Sequence, residues 1–286
     1  MHEIISRYVE SNLTGFQNLS GLVVELISGT FLRLNEGKKL MVKNKQGGDN
    51  IIDRAFYGLA IAHIKDHEHI LNLGCGSHLN FERNLLNKRN VTITSCDINP
   101  INTPYESEHL NFLIQDVEKL FTLDSKVDVV TFFELIEHID KTDILLQNVY
   151  NNLKIGGVLI CSVPNLASIY ARIELLLGFQ PHILEVSNVC SNFGTGVFGK
   201  LNNPNNEPIH HIRGFTLAAI KEMLKYYGFE ITQIYGYDYR LKGIMKYFSS
   251  LAPVNIIVSR KININNCLLY TSDAADDMQC VDLGGR

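Results

Sequence analysis

The sequence lacks any paired-cysteine motif. Its six cysteines, at positions 75, 96, 161, 190, 267 and 280, form no CxxC pair and no zinc-ligand spacing. Cys96 and Cys161 sit in apolar, strand-like runs and Cys75 follows one closely, where a thiol behaves as a small hydrophobe. That usage fits a reducing, cytoplasmic setting rather than a disulfide scaffold. The chain also lacks a basic excess. Its formal net charge is −4, so a nucleic-acid partner is not expected. It has no long apolar run either. The most apolar early stretch, Gly21–Leu34, holds Glu25 and Arg33 and is too short to span a bilayer. Met1–Glu10 has no basic start followed by an apolar run, so no secretory signal is expected. There is no internal repeat and no low-complexity block.

What is present suits one sizeable α/β domain with appended segments: 286 residues, of which 45% are hydrophobic, are enough to bury a core. Residues 1–50 read as helical pieces that end in the polar run KNKQGGDN (43–50), which looks like a loop or linker. At the other end, CLLYTSDAAD (267–276) and VDLGGR (281–286) resemble, in order, translated pieces of a sequencing-library adapter. Residues 267–286 are therefore expected to be non-native, as a fusion scar is. Without their four aspartates and one arginine the chain is close to neutral.

Between these ends, apolar runs alternate with helical patterns. Strands are predicted at His69–Leu73, Val91–Cys96, Leu110–Ile114, Val127–Phe133 and Val158–Val163, with closing strands at Phe229–Tyr235 and Asn255–Ser259. Helices are predicted over 51–65 and at Asn80–Lys88, Lys141–Leu153, Leu166–Leu177 and Thr216–Tyr227. Gly156-Gly157 is read as the C-terminal cap of the helix before it, and Gly228 as that of the last. Strands alternating with helices imply crossover units and a parallel sheet, whose strands are covered on both faces and read as continuous apolar runs. The irregular stretch His182–Pro208 is too long for a plain connection and is expected to be either functional or disordered.

The residues that carry chemistry cluster after the strands. The first predicted strand runs into Gly74-Cys75-Gly76, where glycines let the backbone turn tightly and approach a ligand. A pyrophosphate-binding loop would want a third glycine at position 79, which is Leu79, and this disfavours a nicotinamide oxidoreductase. Asp97 closes the second strand, placed either to hold both hydroxyls of a ribose or to cap a turn. Asp116 closes the third, suited to an adenine amino group or again to a turn.

These segments together resemble the class I S-adenosylmethionine-dependent methyltransferases, of the type 11 and 12 small-molecule or glycan kind. The resemblance rests on ILNLGCG (70–76), CDINP (96–100), QDVEKL (115–120), VDVVTFFELIEHID (127–140), LKIGGVLICSVPN (153–165), HIRGFT (211–216) and YYGFEI (226–231). It implies a doubly wound, Rossmann-like, seven-stranded sheet with helices on both faces and the last strand antiparallel. It implies a catalytic domain over 51–266 with an insertion at about 165–214, preceded by residues 1–50 as a substrate lid. It further implies S-adenosyl-L-methionine as cofactor, held by Asn72, Gly74, Cys75, Gly76, Asp97, Ile98, Asp116, Val117 and Phe133. Arg54, on the helix before the first strand, is expected to pair with the cofactor carboxylate. Two departures stand out: the family usually has Asp where this chain has Asn72 and Gly where it has His78.

For a hydroxyl acceptor a base near neutral pKa helps, and His138 and His211 are the candidates. The alternatives are that His138 packs against the sheet and that His211 with Arg213 anchors the loop to the last helix. Glu134, Glu137 and His138 also resemble the pattern of metal-using subgroups, but the set is incomplete and no metal is favoured. The expected reaction is methyl transfer to an oxygen of a small molecule or sugar. A lipid or quinone acceptor, or a non-catalytic cofactor-binding module, are the alternatives.

Overall fold

A computed structural model describes residues 56–101, 107–238 and 245–263. Residues 1–50, Arg54, the start of the helix expected over 51–65, and the expected scar at 267–286 lie outside the described residues. Seven strands form one sheet: β1 (His69–Leu73), β2 (Thr92–Asp97), β3 (Leu110–Ile114), β4 (Val127–Phe133), β5 (Leu153–Pro164), β6 (Phe229–Tyr237) and β7 (Val254–Lys261). Six helices accompany them: α1 (Tyr57–Ile61), α2 (Asn80–Leu86), α3 (Thr142–Asn152), α4 (Ile169–Leu176), α5 (Gly196–Asn202) and α6 (Leu217–Tyr226). The strand order is β3-β2-β1-β4-β5-β7-β6, with β7 antiparallel to both its neighbours. The doubly wound sheet with an antiparallel last strand is thus the observed architecture.

Alternation along the parallel strands feeds two cores. Ile70 of β1 and Val129 of β4 point to one face, where Phe56, Tyr57, Ala60 and Ile61 around α1 meet Phe81 and Leu85 of α2. Leu71 and Val130, one position on, point to the other face, against Leu145, Leu146 and Val149 of α3 and Ile220 and Leu224 of α6. Each such side chain, removed from water, contributes roughly 1.5–3 kcal/mol. Burial on both faces is why these strands are apolar throughout.

One expected helix end is corrected. α3 stops at Asn152, and Leu153 already pairs with Val127 as the start of β5. Gly156, at φ +78°, and Gly157 therefore lie inside the strand, where the register between β4 and β5 shifts. They turn the strand start rather than cap the helix. Gly157 is forced by contact, since a Cβ there would meet the Asp128 carbonyl at 2.9 Å.

The stretch expected to be irregular holds a short helix, α5, and is tied down at its base. Asn165 and Phe215 form an isolated parallel bridge, and Leu166 N–H donates to the Phe215 carbonyl at 2.8 Å. Ser168 caps α4 and Thr216 caps α6 through their hydroxyls, each satisfying a free N–H of the first turn.

Candidate active site

Chain order reverses between β1 and β4: β2 and β3 build outward on one side of β1, β4 and β5 on the other. In an open α/β sheet a ligand crevice forms beyond the carboxyl ends of the strands at such a point. The loops that meet there are Gly74–Leu79 after β1, the turn after β2, the 3-10 turn Ile136–His138 after β4, and the insertion after β5.

The glycine loop is pinned by its own backbone. Gly74 and Cys75 N–H groups donate to the Cys96 carbonyl at 2.9 and 3.1 Å. Gly74 and Gly76 both take φ +67°. A Cβ at Gly74 would lie 2.7 Å from Leu135, whereas one at Gly76 would meet no protein atom within 4 Å. The first glycine lies against Leu135 and the second faces open space, while the positive φ disfavours any other residue at both. Leu79 adopts φ 50°, the left-handed turn that a third glycine would take, while its side chain is fully buried. Burial of the leucine offsets a strain of about 1–2 kcal/mol.

Asp97 binds the loop and a turn together. One carboxylate oxygen accepts from Gly76 N–H and the other from Asn99 N–H, both at 3.0 Å. Asp116 caps its own turn: Glu118 N–H donates to it at 2.9 Å and holds its carboxyl below the usual range, and Lys119 pairs with it at 3.3 Å. Ile98 and Ile114, at the ends of β2 and β3, are 63% and 67% exposed and give this edge apolar surface. Val117 is buried. Phe133 is buried too, its ring tilted against Phe81 at 4.7 Å between ring centroids and packed with Phe56 and Tyr57, so its ring belongs to the core.

Asn72 points inward. It is 2% exposed, donates to Glu82 at 2.6 Å, and accepts from the Thr131 hydroxyl at 2.8 Å. Ser95 also donates to Glu82 at 2.6 Å. Sequence reasoning passed over Glu82, a charged residue on the buried face of α2. The misfit of a carboxylate at a core-facing helix position was the available signal. His78 is exposed.

On the other side of the crevice the structure gathers Glu137, His138 and His211, not Glu134. Glu134 takes φ 50° directly after β4 and accepts from the Ser162 hydroxyl at 2.8 Å. Glu137, 1% exposed, brings one oxygen to 3.9 Å from His138 Nε2 and 3.8 Å from His211 Nε2. The two rings meet edge to face at 4.8 Å. His138 Nδ1 lies 2.9 Å from the His210 carbonyl and His211 Nδ1 2.7 Å from the Ile183 carbonyl. A carbonyl only accepts, so each Nδ1 carries the hydrogen and each Nε2 presents its lone pair when neutral. Burial pulls the pKa of His211 below the ordinary histidine value, His138 adds to this, and the Ile183 carbonyl opposes it.

The insertion assembles this cluster. Ile212 and Arg213 N–H groups donate to the Glu137 carbonyl at 3.0 and 3.1 Å. The Arg213 guanidinium reaches the Ile139 carbonyl at 3.1 Å and both the carbonyl and carboxylate of Asp140. Glu174 of α4, fully buried, accepts from His182 Nδ1 at 2.6 Å and from its N–H at 3.1 Å, fixing the chain beside Ile183. A cavity of about 610 Å³ lined by Ala218, Lys221, Phe229 and Ile262 opens at the opposite edge of the sheet, where β6 begins, and lies apart from these residues. Among the described residues no helix is long and apolar enough to cross a membrane.

Comparison with known proteins agrees with this geometry. A family profile described as a methyltransferase domain matches residues 49–234. A ubiquinone biosynthesis O-methyltransferase of Coxiella burnetii is 29% identical over 105 residues, which is 34% of this chain and 44% of that protein. The chain thus matches less than half the length of such curated relatives. An S-adenosylmethionine-dependent methyltransferase of Mesorhizobium loti superposes over 74% of this chain and all of that one, with 13% identity and a TM-score of 0.51. The [4+2]-cyclase SpnF superposes over 73% of this chain and 80% of its own, with 14% identity and the same score, so the shared fold does not fix the reaction. The match over most of the chain and the strand order together decide the family: the chain belongs to the methyltransferase-domain family and has the fold of the S-adenosylmethionine-dependent methyltransferases.

Proposed function

We propose that this S-adenosylmethionine-dependent methyltransferase acts on a hydroxyl oxygen of a small molecule or sugar, with His211 as proton acceptor. The observation that carries this reading is the pairing of two imidazoles with a buried carboxylate beside the β4 end of the crevice. His211, its Nδ1–H spent on a carbonyl and its pKa lowered by burial, is a neutral base near pH 7. Glu137 compensates the imidazolium that forms when His211 takes the hydroxyl proton. His138, its own Nδ1 tied to the insertion, holds the neighbouring ring in place.

The cofactor fits the opposite side of the crevice. Gly76 leaves open space in front of the loop, Asp97 brings a carboxylate to the end of β2, and Ile98 and Ile114 offer apolar faces. Arg54 is the proposed partner of the cofactor carboxylate; unchanged affinity in Arg54→Ala would dismiss it. When bound, the cofactor supplies a methyl on a positively charged sulfur, a leaving group that needs no proton. The protein is left to align the acceptor and exclude water. The decisive experiment is calorimetric titration with S-adenosylmethionine, followed by methyl transfer to a panel of hydroxyl, amine and carbon acceptors. Transfer to amines alone overturns the oxygen assignment.

The same geometry favours a second reading. Ligand atoms of Glu137, His138 and His211 all lie within 4.8 Å of one another, and each imidazole is backed by a carbonyl on its other nitrogen. That is a donor set for a divalent ion which would orient the acceptor oxygen. Full activity after exhaustive chelation dismisses the ion and leaves the base.

A further inference from the structure

Glu82 sits beneath the glycine loop with no exposed surface. One oxygen, Oε1, accepts two 2.6 Å hydrogen bonds, from Asn72 and from Ser95. The other, Oε2, is buried and has no hydrogen-bond partner among the described residues. An ionised carboxylate with a bare oxygen in a core is costly and calls for an explanation. Burial pushes its carboxyl up, the Ser95 and Asn72 bonds and its own backbone N–H pull it part of the way back, and Asp97 pushes it up again. The other titratable groups acting here are thiols: Cys75 in the loop and Cys96 on β2 both feel Glu82, and burial raises both, Cys96 to about 12, so they remain neutral. The loop therefore has two carboxylates near it, Asp97 at the rim and Glu82 underneath, and only Asp97 has both oxygens satisfied.

Resting on the cofactor reading above, we propose that Glu82 supplies the negative charge of the cofactor site, in place of an acid at position 72, and that its charge is coupled to the sulfur. Glu82 gives up a proton to solvent when the cationic donor binds next to the loop. It takes one back once the sulfur has lost its methyl and is neutral. The site then favours the sulfonium donor over the sulfide product and helps the product leave. The hydrogen bond between positions 72 and 82 explains how the carboxylate could change places. The pair needs one acid and one amide, and either residue can be either.

The test is calorimetry of the full chain with S-adenosylmethionine and S-adenosylhomocysteine, in buffers of different ionisation enthalpy, between about pH 5 and 8. The expected result is that the sulfonium ligand releases more protons than the sulfide. Glu82→Gln should remove that difference and lower the preference for the sulfonium about tenfold, the equivalent of one pKa unit of coupling. The exchanged pair, Asn72→Asp with Glu82→Gln, should recover the preference to within about threefold. Equal proton counts for the two ligands, or an unchanged preference in Glu82→Gln, overturns the proposal. If Glu82→Gln does not fold, the wild-type proton counts and the exchanged pair decide. A wild-type chain that binds neither ligand sinks the cofactor reading as well, whereas binding of both with equal proton counts sinks only the role of Glu82.

Discussion

The two sides of the crevice are held together over very different distances along the chain. On the β1–β2 side most polar contacts are local: Asn72 reaches Glu82 across 10 positions and Gly76 reaches Asp97 across 21, and the longer one, from Thr131 to Asn72, joins two strands already paired in the sheet. On the β4–β5 side His138 meets His210 across 72 positions and Arg213 meets Ile139 across 74. The first side is built by two adjacent strands and the turn between strand and helix, so it is complete as soon as the sheet is. The second exists only while a 49-residue excursion between Asn165 and Phe215 folds back on the turn after β4. Contacts of that second kind belong to the part of a fold that opens first, and such segments are where substrates enter. The side proposed for the cofactor is thus built with the sheet, whereas the side proposed for the acceptor depends on the insertion.

The sharpest way to break this division is to strike one side and measure the other. His211→Ala should lower kcat by roughly 10²–10⁴, the usual worth of a general base, and leave S-adenosylmethionine affinity within a factor of about two of wild type. A parallel loss of cofactor affinity would show that the two sides are one unit. Gly76→Val strikes the other way. Its side chain would enter open space, so the expected effect is a cofactor affinity about 100-fold weaker, with the positive φ alone costing the fold about 1–2 kcal/mol. Gly74→Val should instead destabilise the fold by about 2–3 kcal/mol, because its Cβ would lie against Leu135. If the two valines behave alike, the loop is not divided as described.

Lys261 tests what holds the long-range side from behind. It is 2% exposed, donates to the Leu153 carbonyl at 2.8 Å and to that of Tyr150, and so closes the end of α3 with a residue from β7. Burial, with Lys126 nearby, pulls its pKa from 10.5 down to about 8. The unfolded chain keeps this proton to higher pH than the folded one. Stability is therefore depressed below about pH 8 and recovers as pH rises from there toward 10.5. The shift corresponds to a gain on the order of 3 kcal/mol over that whole window. Comparing wild type with Lys261→Met by chemical denaturation at pH 7.5 and 9.5 isolates it. A difference that does not grow in favour of the wild type at the higher pH would place the charged form comfortably in its two carbonyl bonds.

The same contrast explains what could be read from the sequence. The strands, the glycine turn and the positions of Asp97 and Asp116 were legible because they depend on short-range patterns (apolar runs, glycines at strand ends, an acid closing a strand), while the arrangement of the sheet came from the family resemblance. β1, β3 and β4 have the predicted bounds, and the last helix has its cap at Thr216. Gly156-Gly157 misled because a glycine pair after a helical pattern reads alike whether it ends a helix or bends a strand. The convergence of Glu137 with His211 was not legible as such. The local pattern pointed to Glu134, whose backbone turn after β4 instead directs its carboxylate to Ser162. Glu82 was missed because its partners, Asn72 and Ser95, come from two other elements, and only their packing makes a carboxylate acceptable there.

The smallest effect sharpens the comparison most, because it touches no reacting group. Arg213 clasps the insertion to the turn after β4 through the carbonyls of Ile139 and Asp140 and the Asp140 carboxylate, and its side chain is 43% exposed. Solvent screening limits such a clasp to about 1 kcal/mol, so Arg213→Ala should raise the acceptor KM about fivefold and change kcat less. Cofactor affinity should stay as it is. Hydrogen exchange should quicken at Ile183 and at 209–212, where the insertion leans on the histidine cluster, while the amides of β1 and β2 keep their protection. Faster exchange in both places would mean that the insertion braces the whole crevice, and the division drawn from contact range would fail. Faster exchange confined to the insertion, with KM raised and cofactor affinity intact, is the outcome required of an acceptor side that is assembled separately from the cofactor side.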